Sequence, residues 1–330
     1  MGVRLAAVLA ALAATAVLGG PGRALAAGDR AAVLFTIRDP RITESSGLAA
    51  SLRHPGVLYT HNDSGDAPRV FALGPDGRVL ATLTFGGAHA RDWEAMAAGR
   101  DTAGQPALFL GDIGDNLHGA WPTVSVYRVT EPATLGDATL PATRYRFRYA
   151  DGARDAEALL VDPRTNRLYV ASKEPGGGGL YQAPATLRTD RVNLLRRIAS
   201  VPPTITDGAF SPDGRTFVLR DYLEAHAYAA PGKQLASFEL PLQLQGESIT
   251  YASDGRAVLA GSEGAGSEVW RVPLPAAVAE AATPASRAPT PPGPVPPAAG
   301  APSPRGRDAM LLLVAVGVAA LLAGVARRRR

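Results

Sequence analysis

Acidic side chains recur at one point of a repeated sequence pattern, and they are the residues best suited to chemistry. The strings 91–95 (Arg-Asp-Trp-Glu-Ala) and 154–158 (Arg-Asp-Ala-Glu-Ala) place Glu94 and Glu157 at equivalent positions, and Glu247 begins a similar segment. Carboxylates gathered around a narrow opening repel one another unless cations or arginines compensate them. Hard oxygen ligands at this density suit calcium. The spacing therefore predicts an acidic surface, with Ca²⁺ as the cofactor that it would hold.

The same three glutamates, Glu94, Glu157 and Glu247, are the candidate catalytic residues. A glutamic acid beside a second carboxylate is compatible with glycoside hydrolysis, and carboxylates that hold a metal are compatible with phosphoester cleavage. Nucleophilic catalysis is not indicated, because the sequence has no cysteine and no Gly-x-Ser-x-Gly string. If the protein is an enzyme, the expectation is a metal-dependent hydrolase.

Other polar residues fall at strand ends that share one face of the predicted fold. Residues 62–66 and 111–116 resemble oxygen-rich ligand loops, although neither matches the full calcium-loop pattern. The metal ligands predicted from the pattern are Glu94, Asp115, Glu157, Asp207 and Glu247. The residues predicted to bind a ligand are His61, Asn62, Asp63, Asp92, Asp112, Asp115, Asn116, Lys173, Asp207, Arg220 and Glu263.

Two other interpretations of these polar residues remain open. Asp and Asn commonly cap turns, so the set could instead stabilise the loops and join neighbouring sheets. Three histidines at loop positions could also hold a transition metal together with Asp63 or Asp92; they are His61, His89 and His118.

The element that must position these residues is a four-strand unit that recurs along residues 29–273. Short Val, Leu, Tyr and Phe runs alternate with Asp-Gly and Pro-Gly turns, which is typical of many short strands. The fifth unit lacks a fourth strand, and an unmatched strand at 31–37 precedes the first. This predicts an all-β fold, a five-bladed propeller closed by the N-terminal strand. Six blades are the alternative, if the long second unit hides one more, and a β-sandwich is the competing architecture.

The two ends of the chain differ from this central part. Residues 1–26 combine an early arginine, an apolar run and an Ala-Leu-Ala site, as a cleaved signal peptide does. Residues 309–326 form an apolar stretch long enough for a transmembrane helix, followed by four arginines at 327–330. Such arginines remain in the cytoplasm, so residues 27–274 are expected outside the cell membrane, on a single-pass anchor.

A segment rich in proline and alanine, residues 275–308, separates the predicted propeller from the predicted anchor. It cannot bury a core and favours extended conformations, so we predict a disordered stalk. The formal net charge of +4 arises from arginines in the stalk and at the ends, so it does not indicate nucleic-acid binding. The expected partner is an extracellular ligand or protein.

Several motifs resemble a group of exported bacterial propellers of the actinobacterial type, loosely related to phytase-like and WD-repeat-like propellers. They are Ser46-Gly-Leu, His61-Asn-Asp-Ser-Gly, Asp92-Trp-Glu-Ala, Gly111-Asp-Ile-Gly-Asp-Asn, Asp155-Ala-Glu-Ala-Leu and Gly246-Glu-Ser-Ile. The phytase-like resemblance implies a calcium-dependent acidic channel site. By position it would include Glu94, Asp112, Asp115, Glu157 and Glu247.

Two functions are therefore predicted for the acidic face. The first is a membrane-anchored binding module, in which the face presents a ligand-binding or partner-binding surface. The alternative is an extracellular metal-assisted hydrolase, either a phytase-like phosphoesterase or esterase or a glycosidase.

Overall fold

The computed structural model describes residues 30–282, except residues 64 and 118. This part of the chain consists of β-strands and one short helix, α1. Their bounds are β1 Ala32–Thr36, β2 Ser45–Ala50, β3 Leu58–Asn62, β4 Arg69–Leu73, β5 Val79–Gly86, β6 Trp93–Arg100, β7 Pro106–Asp112, β8 Val124–Thr130, β9 Ala138–Pro141, β10 Thr143–Tyr149, β11 Ala156–Val161, β12 Leu168–Ser172, β13 Gly179–Gln182, β14 Asn193–Ser200, β15 Asp207–Phe210, β16 Phe217–Arg220, β17 Glu224–Ala230, β18 Lys233–Glu239, β19 Ser248–Tyr251, β20 Ala257–Gly261, β21 Glu268–Pro273 and α1 Ala276–Ala282.

The strands form sheets in which neighbours along the chain pair antiparallel. The sheet orders are β2-β3-β4-β5-β9, β6-β7-β8-β10 joined to β14-β13-β12-β11, β15-β16-β17-β18, and β1-β21-β20-β19. The parallel pairs β5–β9 and β10–β14 connect strand groups at their outer edges. Strand β9 is absent from the sequence prediction, because its residues lack a clear apolar alternation.

The first strands of these groups, which we call the inner ring, pack against one another in a closed cycle. Strand β2 contacts β6, β6 contacts β11, β11 contacts β15, β15 contacts β19, and β19 returns to β2. One cavity of about 310 Å³ is lined at their far ends by Ala50, Ala98, Val161, Ala209 and Tyr251. A cyclic set of radiating antiparallel sheets is the arrangement of a β-propeller.

The predicted closure by the N-terminal strand is confirmed. Strand β1 pairs antiparallel with β21, with Ala32 opposite Arg271 and Thr36 opposite Glu268. The sheet that contains the last three strands therefore obtains its fourth strand from the start of the chain. Closure of this kind covers a strand edge that would otherwise be free to pair with another chain.

Burial differs between the inner and outer strands in the way that this arrangement requires. All six residues of β11 are buried, because both faces of an inner strand pack against neighbouring sheets. The outer strand β10 instead alternates exposed and buried residues. Apolar side chains thus fill the spaces between adjacent sheets, and the alternation explains why the outer strands were recognisable from sequence.

Helix α1 changes the predicted start of the stalk. Residues 276–282 are helical, and Val278 is fully buried against the apolar cluster that includes Val258 and Val272. The alanines around Val278 favour a helix once a single apolar residue has a surface to cover. The remainder of the predicted stalk, the predicted signal peptide, the transmembrane segment and the arginine tail lie outside the described residues. Within residues 30–282, no helix has the length and apolar character needed to cross a bilayer.

Candidate functional site

The acidic residues converge on one mouth of the inner ring, which we call the upper face. Here β2, β6, β11, β15 and β19 begin, and β3, β7, β12, β16 and β20 end. Hydrogen bonds join loops of this face: the Asp115 backbone N–H donates to the Asp155 side-chain Oδ1 at 2.8 Å, and the Glu263 N–H donates to the Gln245 carbonyl at 2.9 Å. These contacts tie together loops that belong to different strands.

Irregularities in strand register aim two of the glutamates into this mouth. In β6 the pairing shifts between Trp93 and Ala95, and in β11 it shifts between Ala156 and Ala158. Glu94 and Glu157 are the residues skipped by these shifts. A β-bulge leaves one residue unpaired and redirects its side chain. Both register shifts fall within the repeated Asp-x-Glu-Ala string.

Two groups of carboxylates result, and they share Glu94. In the Asp92 group, single oxygen atoms of Asp63, Asp92 and Glu94 lie within 4.8 Å of one another. In the Asp155 group, the same holds for Glu94, Asp155 and Glu157. Three carboxylate oxygens at such separations can contact one cation, with waters completing its coordination.

Two observations indicate that this region has room and need for a cation. A Cβ atom on Gly114 would lie 2.2 Å from Glu94 Oε1 and 2.6 Å from Asp92 Oδ2, so a glycine keeps that space open. Glu157 is only 5% exposed, yet its Oε2 has no hydrogen-bond partner among the described residues. A buried carboxylate oxygen without a donor is costly, and a cation would satisfy it. The residues present therefore fit a hard divalent ion.

The electrostatic consequence of the crowding is a rise in carboxyl pKa values. Burial and the neighbouring Glu157 raise the pKa of Glu94 well above its ordinary value. Burial and Glu247 raise the pKa of Glu157, and burial raises the pKa of Glu247. A bound cation would act in the opposite direction, because it favours the ionised forms. Without a cation, the folded protein therefore disfavours the ionised forms of these three glutamates.

Lys173 supplies the positive charge closest to the Asp155 group. Its Nζ lies 2.5 Å from Glu157 Oε1 and 5.2 Å from the centre of the Tyr222 ring. Burial alone would lower the pKa of Lys173, but the attraction of Glu157 and Glu247 is larger, so the pKa is raised. Lys173 is therefore an ammonium ion paired with the cluster.

Asp112 and Asp115 hold the backbone of the site. Asp112 Oδ1 accepts the N–H groups of Arg91 and Asp92, at 3.2 and 3.0 Å. Asp115 Oδ2 accepts the Trp121 N–H at 2.7 Å, while its fully buried Oδ1 has no described partner. Neither belongs to a carboxylate group found among the described residues. Asp112 thus positions the start of β6, and its predicted role in ligand binding stays a prediction.

Asp207 and Arg220 join neighbouring sheets, and this differs from their predicted place in the site. Both are fully buried. Asp207 Oδ2 accepts the Ile249 N–H at 2.7 Å, and Arg220 Nη1 donates to the carbonyls of Ser248 and Gly261, at 2.9 and 3.0 Å. Burial raises the pKa of Asp207 well above its usual value and lowers the pKa of Arg220 to about 10. Their strand pair, β15–β16, has a regular register without the bulge that turns Glu94 and Glu157 toward the mouth.

Three other predicted residues lie at the edge of the mouth. Glu247 accepts a hydrogen bond from Gln245 Nε2 at 3.1 Å and faces Glu157 electrostatically. Burial and the nearby Glu247 and Asp63 raise the pKa of Glu263 to about 7. Asn116 is exposed. Glu247 and Glu263 therefore add negative potential without joining either carboxylate group.

His61 and Asn62 are structural residues in this conformation. His61 is fully buried, its Nδ1 lies 2.8 Å from the Asn62 carbonyl oxygen, and its ring meets the Trp93 ring edge-on. Burial lowers the pKa of His61 to about 4. The Asn62 side chain accepts the N–H groups of Thr43 and Glu44. His61 Nε2 has no hydrogen-bond partner among the described residues, and His118 lies outside them, so the transition-metal site of His61, His89 and His118 stays a prediction.

One further group that could hold a metal lies on β16–β17, where Asp221, Glu224 and His226 approach one another. Both ring nitrogens of His226 already have partners: Nε2 lies 3.0 Å from Asp221 Oδ2, and Nδ1 lies 2.9 Å from Ser237 Oγ. A metal would have to displace a satisfied contact of His226 here.

The structure therefore brings together part of the predicted metal set. Glu94 and Glu157 are adjacent, and Asp63 and Asp92, predicted as ligand-binding residues, join Glu94. Asp155 is a member that the prediction missed. Its signal was present in the sequence, because Asp155 occupies in 154–158 the place that Asp92 occupies in 91–95.

Comparisons with known proteins find solved structures that this chain resembles, but they show no family. No family model matches the chain, and no curated protein matches it. Solved structures that resemble it include a gluconolactonase from Xanthomonas campestris, at 18% identity over 74% of this chain and 89% of that chain, with a TM-score of 0.43. The nidogen/laminin complex matches at 14% identity over 67% of this chain and 73% of that chain, also with a TM-score of 0.43.

Proposed function

We propose that this protein is a calcium-binding β-propeller that recognises an extracellular ligand at its upper face. The observation that carries the proposal is the meeting of two carboxylate groups at Glu94, in a space that Gly114 keeps open. We place the cation in the Asp92 group, between Asp63, Asp92 and Glu94. A bound Ca²⁺ would neutralise these carboxylates and leave coordination positions for oxygen atoms of a ligand.

Thermal unfolding of the protein in EDTA and in calcium tests cation binding. A ligand that binds only the folded state stabilises it by about 2.7 kcal/mol at 100 times its Kd. For a domain of this size, that corresponds to a rise in Tm of roughly 5–10 °C. Equal melting curves in EDTA and in millimolar calcium would rule out the cation.

The substitution Gly114→Ala provides the structural control. Its Cβ would collide with Glu94 Oε1 and Asp92 Oδ2, so we expect the calcium-dependent rise in Tm to disappear. Gly136 is the matched control, because a Cβ there has no neighbour within 4 Å. Gly136→Ala should keep the full response to calcium. A calcium response preserved in Gly114→Ala would place the cation elsewhere.

A metal-assisted hydrolase is the second candidate, and the proximity of Glu94, Asp155 and Glu157 favours it. Neighbouring carboxyl groups can act as the acid and base of glycoside hydrolysis, or can hold a metal for phosphoester cleavage. Assays of the protein with phosphoester, ester and glycoside substrates, with and without metal, separate the two functions. In an enzyme, Glu157→Gln removes turnover while the protein stays folded. If the protein binds a ligand but turns over none of these substrates, the binding function is the one that remains.

We further propose five blades and an extracellular, membrane-anchored location. The cyclic contacts of the five inner strands and the β1–β21 pairing support the blade number. The sequence of residues 1–26 and 309–330 supports secretion and anchoring.

A further inference from the structure

Lys173 lies beside the second group of carboxylates, the Asp155 group. The Asp155 group contains Glu94, Asp155 and Glu157, and the Lys173 ammonium is in direct contact with Glu157. Its backbone is fixed at the same place, because the Lys173 N–H donates to the Asp155 carbonyl at 3.2 Å. The Tyr222 ring lies against the ammonium on another side. The position of this charge is thus set by β12, by the start of β11 and by the loop before β17.

Lys173 compensates part of the negative charge of the Asp155 group through its contact with Glu157. Like charges placed close together in a partly buried site repel strongly. A divalent ion in the Asp155 group would have to share Glu157 with the ammonium, or displace it.

We propose that Lys173 is a built-in counter-ion that fills the second cation position and limits the mouth to one divalent ion. This inference rests on the proposed function, since it assumes that the Asp92 group binds calcium. Lys173 is then a specificity-determining residue. It excludes a second metal, and so excludes two-metal chemistry at this mouth, while keeping the Asp155 group electrically compensated.

The measurement is the number of calcium ions bound, by isothermal titration calorimetry on the full chain in detergent. Extracellular calcium modules bind with Kd of about 10⁻⁴ to 10⁻³ M, so the titration extends to about 10 mM. We expect one ion for the wild type and two for Lys173→Gln and for Lys173→Met. Lys173→Arg keeps the charge and should bind one. The double variant Lys173→Gln/Glu157→Gln lacks a ligand of the second position and should return to one.

Arg154 is the matched control, because it is a basic residue of the same face that pairs outside the two groups. Its guanidinium contacts Asp151 and Glu174, both at 3.1 Å. Arg154→Gln should therefore still bind one ion. Circular dichroism in EDTA confirms that each variant is folded before titration.

The outcomes separate this inference from the proposed function. A wild type that binds no calcium overturns the proposed function, and the inference with it. A wild type that binds one ion while both neutral Lys173 variants also bind one leaves the proposed function intact and overturns the inference. A wild type that binds two ions does the same, since the ammonium would then exclude nothing.

Discussion

Glu94 is the residue on which both carboxylate groups depend. It is 4% exposed, and its charged form is disfavoured by burial and by Glu157 and Asp63. Glutamine has nearly the same shape and carries no charge. Replacing Glu94 therefore tests the electrostatic account without opening a cavity.

We expect Glu94→Gln to raise the Tm measured in EDTA and to abolish the response to calcium. Relief of a buried like-charge contact is expected to stabilise the fold by about 1 kcal/mol, or roughly 2–4 °C in Tm for this size. Differential scanning calorimetry with and without calcium measures both effects. Glu239, an exposed residue on the outer strand β18, is the control, and Glu239→Gln should leave both values unchanged. A lower Tm in EDTA for Glu94→Gln would contradict the proposed repulsion.

Glu263 gives the site a predictable dependence on pH. Its folded-state pKa is raised to about 7 by burial and neighbouring carboxylates, so the folded state holds a proton that the unfolded state has lost. The stability it contributes is complete below the unfolded pKa and is lost as the pH rises through about 7. In EDTA, the Tm should fall between pH 5 and pH 8, and less steeply in Glu263→Gln. Parallel pH profiles for the two proteins would show that Glu263 titrates normally.

At the scale of elements, strand closure by β1 is the feature with the clearest energetic test. Phe35 is buried in the apolar cluster that also contains Ile37 and Val269, whereas Leu34, beside it in the same strand, is 42% exposed. Deleting a buried phenyl group costs about 3–5 kcal/mol.

Phe35→Ala should therefore lower the Tm by about 10 °C, given the usual 2–4 °C per kcal/mol at this size. Leu34→Ala removes an apolar side chain from the same strand but not from the core, and should change the Tm by less than about 2 °C. Thermal unfolding followed by circular dichroism measures both. Equal losses in the two variants would contradict the difference in burial between Phe35 and Leu34.

The elements were predictable from sequence to different extents. Val, Leu, Tyr and Phe runs separated by Asp-Gly turns defined the strands and the missing fourth strand, because period-two burial leaves a direct record in the sequence. The bulges at Glu94 and Glu157 were not predictable, since a register shift depends on how two strands pair. Asp207 and Glu247 align with these glutamates in sequence. Of the four aligned residues, however, only Glu94 and Glu157 lie at a bulge and belong to the carboxylate groups. Helix α1 was missed because one buried valine, Val278, is too weak a pattern to recognise.

At the scale of the whole molecule, the first strand β1 begins and the last strand β21 ends on the side opposite the acidic mouth. The Leu274 N–H donates to the Arg256 carbonyl, in the turn where β19 ends and β20 begins. Ala32, the first residue of β1, pairs with Arg271 near the same end of β21. Residues 32 and 274 therefore lie on the side of the propeller away from the upper face.

Labelling of a single introduced thiol tests the proposed extracellular location, because the sequence has no cysteine. Leu244 lies on an upper-face loop and is fully exposed. In intact cells, Leu244→Cys should react with a membrane-impermeant maleimide. Arg330→Cys, at the end of the predicted cytoplasmic tail, should react only after the cells are lysed. Labelling of both variants in intact cells, or of neither, would contradict the proposed topology.

The pairing of β1 with β21 also sets the order in which this molecule can be completed. A ribosome makes β1 first and its partner almost last, so the ring stays open until nearly all of the propeller has been synthesised. Until β21 has been made, β1 has no partner strand in this sheet, because β21 lies between β1 and β20. A chain that ends before residue 268 would lack β21, so its ring could not close through β1, and the unpaired strand edges would be open to proteases.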